Sequence, residues 1–354
     1  CNNTSVTLNE VDFIDCGSNG YVISINSSVQ LFQMTNSKIA FSEREAPSSS
    51  SCIYSITDKI YLQNNIFEKI KNTVIKLYCI TNEKSTIQII DNNFKGCTNG
   101  SIIDIENTIN MSPTIKGNTF ENITSNLPLV CFILNTDIAS IFIDNNTFCG
   151  FQMNNKFGGI GLNISNINHD VTIEVTFNNC YFINNSNSEG KNQGGAISFS
   201  NFQNLGNVKL SVTNCFFENN HKEDKGSSIY ANIQHEIIIE YSTFKGDKCS
   251  AKGCVFIQPD YEGYNEGSSI TISNCNFERI EANFYSIYIS EGSNKTLSIQ
   301  TCSFDSDKGC VCIENFNNKI EILGNYFINT TEKSALFIQQ SFNSKLLNRE
   351  SKAA

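Results

Sequence analysis

The sequence predicts an all-β chain: a single right-handed parallel β-helix of about twelve coils, with Asn and Cys laddered at one corner. Three observations predict it. First, a corner built on Phe or Ile recurs at Phe13, Ile39, Phe67, Phe94, Phe120, Phe148, Phe182, Phe217, Phe244, Phe277, Phe304 and Phe327, with gaps of 23 to 35 residues. A period of that length is the mark of a solenoid. Second, apolar residues stand seven and five positions before the corner residue, as in Ile60 and Leu62, Ile87 and Ile89, Ile141 and Ile143, Leu210 and Val212, and Ile270 and Ile272. Spacing of two puts both side chains on one face of a strand. Third, the position two before the corner holds Asn65, Asn92, Asn118, Asn146, Cys180, Cys215, Cys275, Cys302 or Asn325, with Ser242 as a small variant.

The step from minus five to minus two breaks strand alternation, so the chain must bend there. A further strand follows each corner, often opened by Gly, as in "GSIIDIEN" from 100, "GGAISFS" from 194 and "GCVCIEN" from 309. Each unit then reads as strand, bend, Phe, loop, strand, loop. Stacked units place equivalent strands about 4.8 Å apart, so twelve of them make a rod of roughly 55 to 60 Å. A polar side chain at an inner corner is tolerable only where it bonds backbone or its counterpart in the next coil. Asn both donates and accepts, which suits it to such a stack. Right-handedness follows from the rarity of left-handed parallel crossovers.

The repeats run without a linker, so residues 1–345 form one elongated domain and 346–354 a polar tail. A net charge of −10 and a pI near 4.9, with Lys and Arg scattered singly, argue against a nucleic-acid partner. No apolar run reaches the length of a membrane span, and no secretory leader is recognisable. The chain begins at Cys1, which reads as a mature product or as part of something longer.

Fifteen cysteines without Cys-x-x-Cys pairs or nearby His argue against zinc. Cys310 and Cys312, two apart, are expected on one side of their strand. Cys180 with Cys215, and Cys275 with Cys302, hold the same register in neighbouring coils, close enough for disulfides and equally for stacked free thiols. Asn-x-Ser/Thr sequons begin at Asn2, Asn3, Asn26, Asn99, Asn110, Asn122, Asn145, Asn163, Asn184, Asn294 and Asn329. Those at corners can carry glycan only where the side chain points outward. Cysteines, sequons and the rod together point to an oxidising, extracellular setting.

The tetrapeptides "FINN" at 182, "FENN" at 217, "FENI" at 120 and "FINT" at 327, with "GGAI" at 194, resemble the repeats of the chlamydial polymorphic membrane proteins and related repeat proteins of parasitic protists such as trichomonads. One Gly-Gly-Ala-Ile is intact, and "GGIG" at 158 and "GSSI" at 226 are looser versions. The resemblance implies a surface-displayed right-handed β-helix used in adhesion or as a coat, with the protist members nearer.

Enzymes also use parallel β-helices, as pectate lyases, polygalacturonases and tailspike glycosidases. They need clustered carboxylates on an outer face. The chain has one Asn-Thr-Asp run, at 135–137, but no Asp-Asp, Gly-His-Gly or Arg-Ile-Lys run to complete the set, and His169, His221 and His235 fall in separate units, in or beside loops. No catalytic residue and no cofactor are expected. Asp305 and Asp307 could offer oxygen to Ca²⁺, though an Asp-rich turn explains them equally well. The loop "PDYEGYNEG" at 259 places Tyr261 and Tyr264 beside Glu262 and Glu266, a plausible contact for sugar or protein or a loop packed on the rod. The expected role is a non-enzymatic adhesive or structural rod, secreted or on a cell surface. Its expected partners are a host or neighbouring-cell surface protein or glycan, or its own kind through coil ends. A polysaccharide-binding or polysaccharide-degrading enzyme is the alternative.

Overall fold

A computed structural model describes residues 4–16, 20–27, 29–42, 51–57, 59–79, 85–107, 111–134, 138–153, 158–164, 172–188, 194–200, 207–232, 236–258, 269–283, 285–290, 295–305, 308–316, 318–330 and 333–339. The repeat wraps into a right-handed parallel β-helix. Each coil gives one strand to each of three twelve-stranded sheets. Sheet A runs from Ser5–Asn9 to Ile320–Leu323, sheet B from Asp12–Ile14 to Tyr326–Ile328, and sheet C from Ile23–Ile25 to Leu336–Gln339. A six-stranded sheet D, from Thr124–Ser125 to Glu281–Ala282, lies between B and C in the middle coils.

The apolar pairs of sheet A stack directly on one another. Ile87 sits between Ile60 and Pro113, and Ile89 between Leu62 and Ile115. Pro113 cannot donate to the ladder, and the pairing toward the next coil skips Ser112 and Pro113, running from Met111–Ala139 to Thr114–Phe142.

One expectation is corrected: Phe does not lead into a loop but occupies the centre of its own three-residue strand in sheet B. The reason is a left-handed residue on either side. At position minus three every coil has positive φ, from 50° to 66°, through Glu10, Asn36, Asn64, Asp91, Gly117, Asn145, Asn179, Asn214, Tyr241, Asn274, Thr301 and Gly324. At plus two the same holds for Asp15, Lys69, Gly96, Asn122, Gly150, Asn184, Asn219, Gly246, Arg279 and Asn329. Each such residue turns the chain through a corner. Asn, Asp and Gly tolerate this region, whereas most L-residues lose about 1–2 kcal/mol there. That explains why corners are written in Asn and Gly, and it marks Glu10, Lys69, Tyr241, Arg279 and Thr301 as the exceptions.

Inside, Phe67, Phe94, Phe120, Phe148, Phe182, Phe217, Phe244, Phe277, Phe304 and Phe327 form one continuous stack. Neighbouring centroids lie 4.7 to 5.2 Å apart and the planes tilt by no more than 10°. The separation is set by strand spacing, which holds the rings closer to face-to-face than free aromatic pairs prefer.

The corner ladder is present as expected. Asn65, Asn92, Asn118 and Asn146 are buried, and each accepts from the backbone N–H of the ladder residue one coil back, at 2.9 to 3.0 Å. Each amide also donates to carbonyls, as Asn118 does to Ile89 at 2.8 Å and to Lys116 at 3.1 Å. Where Cys replaces Asn, the thiol donates to the corresponding carbonyls: Cys180 to Ile143 and Asn178, both at 3.4 Å, and Cys302 to Ile272 at 3.7 Å. Both proposed pairs are stacked thiols, and all cysteines among the described residues with a described side chain are free. Burial pushes the Cys215 and Cys275 thiols above their usual range, so they behave as small apolar residues.

A second ladder occupies the next corner, three residues after Phe. Asn185 bonds Asn220 at 2.9 Å, and Asn220 donates to Asp247 Oδ1 from its backbone at 2.7 Å and its amide at 3.2 Å. Asp247 is fully buried, and its other oxygen accepts from Ser228 Oγ and, at 3.3 Å, from Cys254 Sγ.

The Gly-Gly pair of "GGAI" has a steric origin at the start of sheet C. Gly194 has φ 72°, and a Cβ on Gly195 would lie 1.9 Å from the Ser227 carbonyl oxygen in the next coil. Backbones of adjacent coils pass too closely there for a side chain.

Candidate ligand-binding groove

In sheet C an outward-facing position recurs in every coil, in register along the rod. The outer column is Ser24, Tyr54, Lys76, Asp104, Cys131, Gly161, Ser198, Tyr230, Phe256, Tyr288, Cys312 and Phe337. Its first part is mixed: the Lys76 ammonium lies 3.8 Å from Asp104 and 5.1 Å from the Tyr78 ring centroid. From Tyr230 onward the column turns aromatic, and Tyr230, Phe256, Tyr285, Tyr288 and Cys312 make a cluster separate from the interior.

The rings stack along the rod. Tyr230 and Phe256 are 5.4 Å apart, Phe256 and Tyr288 5.6 Å. Lysines cover them from solvent: Lys225 lies 5.0 Å from the Phe256 ring, and Lys252 4.4 Å from Tyr288 and 5.7 Å from Phe256. An ammonium over an aromatic face is attracted by the ring quadrupole. Lys225 and Lys252 come from the turns before their strands and face each other in a parallel bridge.

One coil further on, the column narrows. Gly309 pairs with Tyr285, and Cys312 stands between Tyr288 and Phe337. Two small residues between large rings leave a groove of about 280 Å³, lined by Lys252, Tyr285, Tyr288, Cys312, Glu314, Lys333 and Phe337. Tyr285 reaches across it, its centroid 6.4 Å from that of Phe337 and the planes 28° apart. The Lys333 ammonium donates to the Asn283 carbonyl at 2.7 Å and lies 5.7 Å from the Tyr285 centroid. The Tyr288 hydroxyl donates to Glu314.

The titratable groups of the groove are shifted by burial and by one another. Burial, reinforced by Glu314, holds the Tyr288 phenol well above its usual range, and burial raises Tyr285 too. Burial, with Glu314 beside it, pushes the Cys312 thiol up to about 12, so at neutral pH it is a thiol and a poor nucleophile. Among the described lining residues Glu314 is the one carboxylate.

The residues singled out from sequence fare differently. Tyr261, Glu262, Tyr264 and Glu266 lie outside the described residues, in the segment that follows Gln258, two positions after Phe256. Asp307, Asn294, His169, His235 and the tail also lie outside them, and the side chain of Asn163 is not described. Asp305 accepts from Asn329 Nδ2 at 2.8 Å, and among the described residues no three His, Cys, Asp or Glu converge as a metal site. Asn26, Asn99, Asn122, Asn145, Asn184 and Asn329 are exposed, all but Asn26 at left-handed corners. His221 is not a loop residue: it opens a strand of sheet D, paired with Ser186 and Lys248. Cys310 and Cys312 do not share a face either. Cys310 packs into the interior at the turn into its strand, where pairing skips from Gly309 to Val311, whereas Cys312 belongs to the outer cluster.

The groove was missed in the sequence although a signal existed. The strands "YSIYIS" and "GCVCIE" are buried at five or more consecutive positions, so alternation is lost and both faces are apolar. No helix among the described residues is long and apolar enough to cross a membrane. Compared with family models, with curated proteins and with solved structures, the chain has no significant match in any of the three.

Proposed function

We propose that the chain is a non-enzymatic β-helical rod, secreted or displayed on a cell surface, that binds other surfaces through its side wall. The observation that supports this best is the groove at Tyr285, Tyr288 and Phe337: an apolar, lysine-rimmed recess on an outward sheet face where a solvated sheet would carry polar residues. The resemblance of "FINN", "FENN" and "GGAI" to polymorphic membrane protein repeats points the same way. Exposed sequons at the corners suit a glycosylated rod. The polysaccharide-degrading alternative has less support, since among the described lining residues Glu314 is the one carboxylate and glycoside hydrolysis uses a pair.

Adhesion of coated beads tests the reading. Beads carrying the purified chain are expected to attach to host or neighbouring cells in clear excess over beads carrying an unrelated acidic protein of similar net charge. Equal attachment of the two bead types contradicts it.

A further inference from the structure

We infer that the groove binds a carboxylated pyranose, a sugar ring bearing an acid group as in a uronic acid or a terminal sialic acid. This rests on the reading of the chain as a binding rod and names the chemistry its wall selects.

The shape comes from the gap that Gly309 and Cys312 leave between Tyr285 and Tyr288 on one side and Phe337 on the other. Phe337 is 38% exposed, and Tyr285, its centroid 6.4 Å away and its plane inclined by 28°, stands beside it as the second ring of the recess. The C–H face of a pyranose is apolar and flat, and it packs on such a ring while its hydroxyls remain at the rim. At about 280 Å³ the recess has room for a small ligand and lies just below the usual range of drug-sized pockets.

The charge comes from Lys252 and Lys333. Both are half-buried on the groove wall with their ammonium groups near tyrosine rings. Ammonium groups only donate, and in a partly desolvated recess they favour an anion. The chain as a whole carries −10, so two lysines meeting over aromatic rings oppose its general electrostatics. Glu314, fixed by the Tyr288 hydroxyl, supplies an acceptor for sugar hydroxyls. An aromatic platform, cationic donors and one acceptor together match an acidic sugar better than a neutral one.

Calorimetric titration of the intact chain tests this with four probes: trigalacturonate and sialyllactose as acids, and maltotriose and lactose as neutral counterparts. At least one acid is expected to bind about tenfold or more tighter than its neutral partner, with affinity falling as salt rises. Which acid binds identifies the source as uronate or sialate. Lys252→Met and Lys333→Met are each expected to weaken binding about tenfold with an unchanged circular dichroism spectrum. Phe337→Leu should weaken acid and neutral sugars alike, since the platform serves both. Equal affinity for acid and neutral sugars, no heat from either acid at millimolar concentration, or variants that bind as the parent does would each overturn the inference. If the titrations fail while coated beads still adhere, the acidic-sugar assignment falls and the binding rod stands; if the beads also fail, both fall.

Discussion

Phe182→Ala is expected to destabilise the rod by about 3–5 kcal/mol. Phe182 is fully buried, with Phe148 and Phe217 each 4.8 Å away and Phe177 edge-on at 6.3 Å. Its neighbours are held at the strand spacing on either side and cannot close the gap without breaking the backbone pairing of sheet B. In a solenoid each coil touches only its neighbours, so the damage should be local as well as large. Hydrogen exchange should show lost protection concentrated in residues 147–149, 181–183 and 216–218, and Phe182→Leu should recover more than half of the loss. The equivalent change at Phe327, only partly buried in the last described coil, should cost clearly less. A loss below about 1 kcal/mol for Phe182→Ala, or one spread evenly over the rod, contradicts the stack as the source of stability.

The second large effect is on pH dependence. Asp247 ends the inner Asn185–Asn220 ladder as a carboxylic acid in a fully buried site, and burial pushes its pKa up to about 6, against the lowering effects of Ser228, Asn220 and Cys254. The fully buried Lys222, two residues beyond Asn220, and Cys249, with which it pairs, belong to the same part of the interior. An acid whose pKa is raised on folding binds more protons in the native state than in the unfolded chain. The stability that Asp247 contributes is therefore fully present below the unfolded value near 4 and is lost as pH rises through about 6. A shift of about two units corresponds to about 3 kcal/mol lost by neutral pH. Asp247→Asn should remove that dependence and stabilise the chain at neutral pH, because the amide can keep accepting from Asn220 and donate to Ser228 Oγ. Denaturation measured at pH values bracketing this window checks it. A parent protein whose stability is flat or rises through the window, or a variant with the parent's slope, contradicts the assignment.

The corner ladder could be read from sequence because it obeys a fixed register: Asn65, Asn92 and Asn118 stand two before Phe in every case, and stacking leaves such residues one set of partners. The left-handed corners were only half legible. Asn145 and Gly324 advertise positive φ, but Glu10, Tyr241 and Thr301 do not, and only their place in the repeat assigns them. Whether Cys180 and Cys215 pair or stack turns on side-chain direction, which spacing alone does not give. The groove was hidden for another reason. Loops between sheets B and C vary in length, with Phe244 eleven residues before Val255 and Phe304 five before Gly309, so the outward residues of sheet C have no fixed distance from the Phe landmark. Gly309 and Cys312 look unremarkable in the sequence, and they create the recess only because large rings flank them in space.

The reading of the chain as a binder that leaves its partner intact is tested most directly by incubating the purified protein with acidic and neutral polysaccharides, and scoring both retention and the appearance of new chain ends. Retention of an acidic polymer with no new ends over a prolonged incubation is the predicted result. New ends that grow with time and with protein concentration would contradict it, and would move attention from the ring faces of Tyr285 and Phe337 to a catalytic carboxylate elsewhere on the rod.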